Sequence, residues 1–416
     1  MEKPKLRIVE AFPAGEHAGR ALIGLRDPLK ISEKMVCLAP ETLEILRFFD
    51  GRHTLSDIQE FFLKHHAVLL ETAVLRRIVS TLDEAHLLDS PAFREYQEAL
   101  IRDFTREPRQ TAHLPGQSYP SRPEEIKSFL RGHFDGKLPP KDALPPGPAP
   151  AGLVLPHIDL RVGGAVYASG LQTLVCAQPP ELFVILGTGH SLAARFSATG
   201  KDWQTPLGTI PADPDFFKAL AGRLPFDLYT EPLAHRCEHS LEFQILYLQY
   251  LGRLFPDLGK AKVVPILVGS YHDLLSTDEK MPMDDPAIRA FARALRETIA
   301  GCGRRVCLIG SVDLAHMGGR FGHRRKMNER ARRELEEEDR RMLARALARD
   351  PDGFFRFGQA EKDCRNVDGY PIIHLMLEVL KPDRVELIRY EQNYEPDTDS
   401  VVSYASLRMD KTSSST

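Results

Sequence analysis

The chain has 416 residues, 43% of them hydrophobic and 27% charged, the balance of a globular protein long enough for two or three domains. With 55 basic and 58 acidic residues the net charge is −3, so nothing global favours nucleic acid or an anionic membrane as a partner. The apolar runs are too short to span a bilayer and the amino terminus lacks the apolar core of a secretory signal, so a cytoplasmic protein is expected. The six cysteines (Cys37, Cys176, Cys237, Cys302, Cys307, Cys364) form no CxxC pair or zinc-finger spacing and read as inert thiols rather than a disulfide framework.

The first hundred residues read as helices with short strands. Apolar residues recur at helical spacing over 39–49 until Asp50-Gly51 stops them. Thr54 with Asp57 predicts an N-cap for a helix over 55–66. A third helix is expected from near Glu71, with Val74, Leu75, Ile78, Val79 and Leu82 on one face. This pattern resembles a winged helix, and more weakly the PqqD-type peptide-recognition domains that accompany radical enzymes. Between residues 41 and 89, however, nine acidic side chains stand against five basic ones, too few cations for phosphate binding. Protein docking is the preferred reading of residues 1–105.

A polar stretch over 95–117 precedes a turn and helix in GQSYPSRPEEIKSFL, and residues 138–150 hold six prolines in thirteen positions, an extended connector. Short apolar strands at 152–156, 182–186, 263–268 and 306–309 then alternate with amphipathic helices, which predicts an α/β sheet covered by helices on both faces. Residues 328–348 read as a solvated helix laced with i,i+4 ion pairs. Strand character returns at 384–392 and 400–409, and the tail over 411–416 is expected to be disordered.

Four segments read as an apolar strand that runs out into a polar residue flanked by Gly, Ser or Pro. GLVLPHIDL ends on His157, FVILGTGHS on His190, CLIGSVDLAHMGGRFG on Asp313 and His316, and RNVDGYPIIHLML presents Asp368 before a helix at Pro371. Ligands collect at the carboxyl ends of strands in open α/β sheets. Neutral imidazole suits zinc, copper and iron alike, and two His with one carboxylate is the facial arrangement of non-haem Fe(II). His157, His190 and Asp368 are therefore the candidate metal ligands, and His316, three residues after Asp313, fits a general acid/base. CEHSLEFQILYLQYL adds Glu238, His239 and Glu242 at a helix start. Capping and the helix dipole explain these carboxylates as well as a second role does, in which His239 and Glu242 orient ligands in the same cleft.

The succession GQSYPSRPEEI, PHIDLRVGGAVYASG, LGTGHS, TPLG, EHSLEFQ, VVPILVG, SVDLAHMGGRFG and DGYPI resembles the Memo family, in the family's order and over about 300 residues. That resemblance implies a Memo/LigB-like α/β metal-site domain over 106–410, similar in fold to the class III extradiol ring-cleaving dioxygenases. It places the family's metal-binding histidines on His157 and His190, and the Asp and His of its SSDFCHWG-like segment on Asp313 and His316. In the dioxygenase relatives the histidine matching His316 is the catalytic acid/base. Memo proteins usually carry Cys-Gly where this chain has Asp368-Gly369. A thiolate favours Cu(I) or zinc and a carboxylate Fe(II), so Fe(II) is the preferred cofactor, with copper and zinc as alternatives. Cys364, four residues away, needs a different loop path to replace Asp368. PHIDL and GTGHS also depart from the family's usual PHAGY and GPSHH.

Three readings remain open. The chain is a non-haem iron enzyme resembling the dioxygenases and acting on a small molecule, or a metal-binding partner of an AMMECR-type protein and a radical SAM enzyme, or a metal-free interaction protein. The retained His157, His190, Asp313 and His316 argue against the third.

Overall fold

The computed structural model describes residues 2–17 and 19–411, and the chain divides into two compact units, Met1–Glu107 and Pro108–Thr416. The tail over 412–416, expected to be disordered, lies outside the described residues.

The first unit opens with an antiparallel sheet of β1 (Glu10–His17), β2 (Arg20–Arg26) and β3 (Met35–Leu38), short strands that the sequence announced without placing, because Pro13, Gly15 and exposed polar residues break the alternation of β1. Helices α1 (Thr42–Leu46), α2 (Leu55–His66), α3 (Thr72–Glu84) and α4 (Pro91–Arg106) follow. The first is shorter than its apolar spacing predicts, since Phe48 and Phe49 turn into the left-handed Gly51. The Thr54–Asp57 capping box forms, and Leu75, Val79 and Leu82 of α3 enter a separate core with Ile58 and Phe62 of α2.

The second unit is built on one mixed sheet. Strands β5 (Gly152–Leu155), β11 (Val306–Ser311), β6 (Leu182–Thr188) and β10 (Lys262–Val268) lie side by side and parallel. The hairpin of β13 (Arg384–Glu395) and β14 (Ser400–Asp410) adds antiparallel to β5, short β12 (His316–Gly318) pairs with β14, and β7 (Phe196–Ala198) closes the other edge on β10. A small sheet of β4 (Arg109–Thr111), β8 (Asp202–Thr205) and β9 (Gly208–Ile210) stands apart. The central strands are continuous apolar runs because both faces are covered. On one face Phe183, Ile185 and Ile309 pack against α5 (Pro123–Phe134), α6 (Leu160–Leu171) and α8 (His239–Leu254). On the other, Val184, Leu186 and Leu308 pack against α7 (Pro214–Ala221), α10 (Pro286–Gly301), α11 (Glu329–Leu347), α12 (Pro351–Ala360) and α13 (Tyr370–Leu380), with the four-residue α9 (His272–Leu275) between them in sequence.

Two expectations are corrected. The proline-rich stretch over 138–150 is extended, but it does not connect the two units. Its backbone is fastened within the second unit, Ala149 N–H to the Gln178 carbonyl at 3.1 Å and Ala177 N–H to that of Pro145 at 2.9 Å. Helix α11 carries the expected surface pairs, such as Arg330–Glu334 and Arg340–Glu336, but Asp339 in their midst is fully buried. It pairs with buried Arg365 and accepts from the Tyr390 hydroxyl at 2.9 Å. Arg365 also binds Glu361 through Nε at 2.9 Å and Nη2 at 2.8 Å. The pair anchors the loop between α12 and α13, where Lys362, Asp363 and Asn366 all hold left-handed backbone, costly for side chains other than glycine.

Removing one member of a buried ion pair strands the other charge. Asp339→Ala should therefore lower the unfolding free energy by about 3 kcal/mol, read from the denaturant midpoint. A loss under about 0.5 kcal/mol would place the pair in the class of solvated surface bridges.

Candidate metal centre

The parallel strands all end at one edge of the sheet, and the candidate residues follow from that geometry. His157 lies just beyond β5, His190 beyond β6 and Asp313 beyond β11. Helix α8 starts against the end of β6, where a Cβ on Gly187 would stand 2.6 Å from Ser240 Oγ, and Ser240 Oγ donates to the Thr188 carbonyl at 2.9 Å. This close approach brings His239 to the group. The His239 ring lies 4.6 Å from that of His190 and 5.1 Å from that of His157, and one ligand atom from each of the three histidines lies within 4.8 Å of the others.

Each ring is oriented from behind. His157 Nδ1 is 3.1 Å from the Ser311 carbonyl, an oxygen that only accepts, so Nδ1 carries the hydrogen and Nε2 faces the site. Asp368 Oδ2 stands 3.0 Å from that Nε2 and Asp313 Oδ2 3.8 Å. His190 Nδ1 donates to Glu238 Oε1 at 3.0 Å, leaving Nε2 for a ligand. The Glu238 carboxylate also accepts from the backbone N–H groups of His190 and Ser240, at 3.1 and 3.0 Å, so it caps α8 and fixes His190 together. A carboxylate behind a metal-binding imidazole is the usual device for setting tautomer and basicity.

Asp313 is buried and its Oδ1 accepts from the backbone N–H of both His157 and Ile158, at 3.0 and 3.1 Å, which ties the end of β11 to the end of β5. His316 Nδ1 lies 3.1 and 3.0 Å from the carbonyls of Leu314 and Asn366, so Nδ1 carries a hydrogen. Glu242, expected beside His239, is placed otherwise. Its carboxylate accepts from the N–H groups of His113 and Leu114, at 2.7 and 3.0 Å, and from the Tyr119 hydroxyl at 2.6 Å, fastening the chain before α5 onto α8. Cys364, the alternative to Asp368, is exposed.

Burial alone would discharge His157, but the carboxylates of Asp313 and Asp368 outweigh it and push its pKa up to about 10. Burial raises the Asp313 carboxyl, whereas the His157 charge overcomes burial at Asp368 and holds that carboxyl low. Burial likewise opposes Glu238, and the neighbouring His190 holds it far below the carboxylate range. Asp368 Oδ1 is buried without a hydrogen-bond partner. Beside His190 and Asp368 opens a cavity of about 290 Å³, walled by Thr188, Tyr271, His272, Asn366 and Ile372 among others. That is room for a small molecule.

Sequence reasoning missed Glu238 as the partner of His190. Its adjacency to His239 was the available signal, and helix capping accounted for it equally well.

A profile of Memo-like proteins matches residues 109–408. A MEMO1 family protein of Aquifex aeolicus is 29% identical over 413 residues, covering 97% of this chain and 99% of the relative. One of Thermus thermophilus is 30% identical over 367 residues, 86% of this chain and 99% of the relative. One of Pyrococcus furiosus is 30% identical over 314 residues, 72% and 98%.

The charge balance at His157 predicts a pH dependence for the chelator-treated protein. Its folded pKa exceeds the ordinary imidazole value of about 6.5, so the imidazolium contributes stability in full below about pH 6.5. That contribution disappears as pH rises toward 10. NMR titration of His157 should show the raised pKa and a fall in Asp368→Asn; titration near the ordinary value in both would contradict the placement of the carboxylates.

Proposed function

This chain belongs to the Memo family, and from that premise we propose that its carboxyl-edge cleft binds one transition-metal ion, Fe(II) for preference, and serves dioxygenase-like redox chemistry on a small molecule. The observation that carries this reading is the partnerless Asp368 Oδ1, buried beside a group of three convergent imidazoles. A buried carboxylate oxygen without a donor is costly, and a cation relieves the cost. The 3.0 Å between Asp368 Oδ2 and His157 Nε2 is also about the separation of two donor atoms on one ion at bond lengths of about 2.1 Å and a right angle.

His157, His190 and Asp368 are the proposed ligands, with His239 as a fourth donor. Imidazoles with a carboxylate suit Fe(II) better than Cu(I), while zinc remains compatible with the same donors. Bound there, the ion would supply Lewis acidity and, as iron, redox capacity. The residues around it do the rest. Asp313 holds the His157 backbone in place, Glu238 accepts the Nδ1 hydrogen of His190 and so turns Nε2 toward the ion, and the walls beside Asp368 enclose the substrate. His316, with its hydrogen fixed on Nδ1, would take or return a substrate proton at Nε2.

A second reading makes the chain a metal-binding partner of an AMMECR-type protein and a radical SAM enzyme. The first unit favours it, because Ile8, Leu29, Met35, Leu63, Val68 and Leu69 stand exposed there. Val68→Asp with Leu69→Asp in the full chain should abolish retention of such partners while leaving metal content intact; unchanged retention would remove the support.

Iron analysis of anaerobically prepared protein tests the first reading. One iron per chain is expected, lost in His190→Ala and retained in His316→Ala, with turnover of any accepted substrate abolished in both. Loss of iron in His316→Ala would make His316 a ligand instead. Glu238→Gln should weaken iron affinity by about 10–100-fold, the usual effect of removing a carboxylate behind a ligating imidazole. Unchanged affinity would mean that Glu238 serves only as a helix cap.

A further inference from the structure

We propose a second metal site in this protein, for a zinc-class divalent cation, formed by Asp352 of α12 with His374 and Glu378 of α13. It uses none of the cleft residues and stands independently of the function proposed for them.

His374 and Glu378 are four residues apart on α13 and so project from one face of the helix. Asp352, in the first turn of α12, meets them there, and one ligand atom from each of the three residues lies within 4.8 Å of the other two. The helix dipole would explain Asp352 alone. It does not explain His374. That ring is 0% exposed, and neither Nδ1 nor Nε2 has a hydrogen-bond partner. Its neighbours along α13, Ile372, Ile373, Leu375, Met376 and Leu377, are all buried and apolar, and Phe355 meets the ring edge-on at 5.6 Å. If packing were the only demand, a leucine would fill such a position without stranding two polar atoms. Burial keeps the ring neutral, the form that ligates a metal.

One imidazole and two carboxylates make a mixed nitrogen–oxygen set, which suits zinc better than the all-oxygen preference of calcium or magnesium. Glu378 is held loosely by Arg296, whose Nη2 is 3.6 Å from Oε2 and also donates to the Glu378 carbonyl. That guanidinium can stay on one carboxylate oxygen while the other turns to the ion. A surface depression of about 390 Å³ beside Glu378, flanked by Arg349 and Lys381, gives solvent access. An ion in this place would staple the start of α12 to the middle of α13, the helix that begins two residues after Asp368.

The test is zinc titration of the full chain after chelation, made in a His190→Ala background so that uptake by the cleft does not mask it. One zinc per chain is expected in His190→Ala, with a rise in thermal midpoint on zinc addition. Both should vanish in His190→Ala/His374→Leu, which keeps its fold because leucine fills the apolar pocket. Asp352→Asn, a change at an exposed position, should abolish the same zinc uptake and gives the answer should the leucine variant fail to fold. Absence of zinc uptake in His190→Ala, or uptake that survives Asp352→Asn or His374→Leu, would overturn the proposal.

Discussion

The arrangement of the second unit turns on one electrostatic constraint: Asp313 and Asp368 both bring carboxylates to His157 at the end of a sheet whose strands are buried on both faces. Two like charges this close, in surroundings that solvate them poorly, must be neutralised by hydrogen bonds and cations. Asp313 meets the demand with the backbone N–H groups of His157 and Ile158. Asp368 meets it in part with the His157 ring and keeps one oxygen without a partner. An ion among the three imidazoles would complete the neutralisation and release the proton from His157. The same constraint explains why the Asp368 loop is held by the buried Asp339–Arg365 pair and adopts left-handed backbone at three non-glycine positions. A carboxylate facing a buried histidine stays in place only if its loop has no cheaper conformation.

The central strands were legible in the sequence because uninterrupted runs such as LFVILGT occur where a parallel strand is buried on both faces. Strand ends followed directly, and with them the positions of His157, His190 and Asp313, whereas Asp368 lies in the loop between α12 and α13. Side-chain partners set by helix packing were legible only as one of two alternatives, His239 and Glu242 reading equally as a helix start or as cleft residues. His239 enters the histidine group because α8 seats its first turn on Gly187, a contact between segments about fifty residues apart. Glu242, one turn further along, serves the chain before α5 instead, through backbone groups that no motif encodes. Asp339 was hidden by its surroundings, a run of charged residues whose other members are solvated, and only the depth of α11 at that point sets it apart. Short strands were expected in the first hundred residues but could not be placed, because β1 is largely exposed and lacks alternation.

Family membership and geometry bear on different questions. The match over residues 109–408 places the chain in the family. The proposal of Fe(II) rests on Asp368, where the resemblance to the family implies a cysteine, and on the exposure of Cys364. A hard donor at that position shifts preference from Cu(I) toward Fe(II). The space beside Tyr271, Ile372 and the Asp368 loop has the volume of a small ligand.

X-ray absorption at the iron edge of the reconstituted protein tests this account most directly. It predicts a first shell of nitrogen and oxygen alone at about 2.0–2.2 Å, with outer-shell scattering from at least two imidazoles that diminishes in His190→Ala. A sulfur scatterer near 2.3 Å, or a spectrum indifferent to His190→Ala, would contradict it.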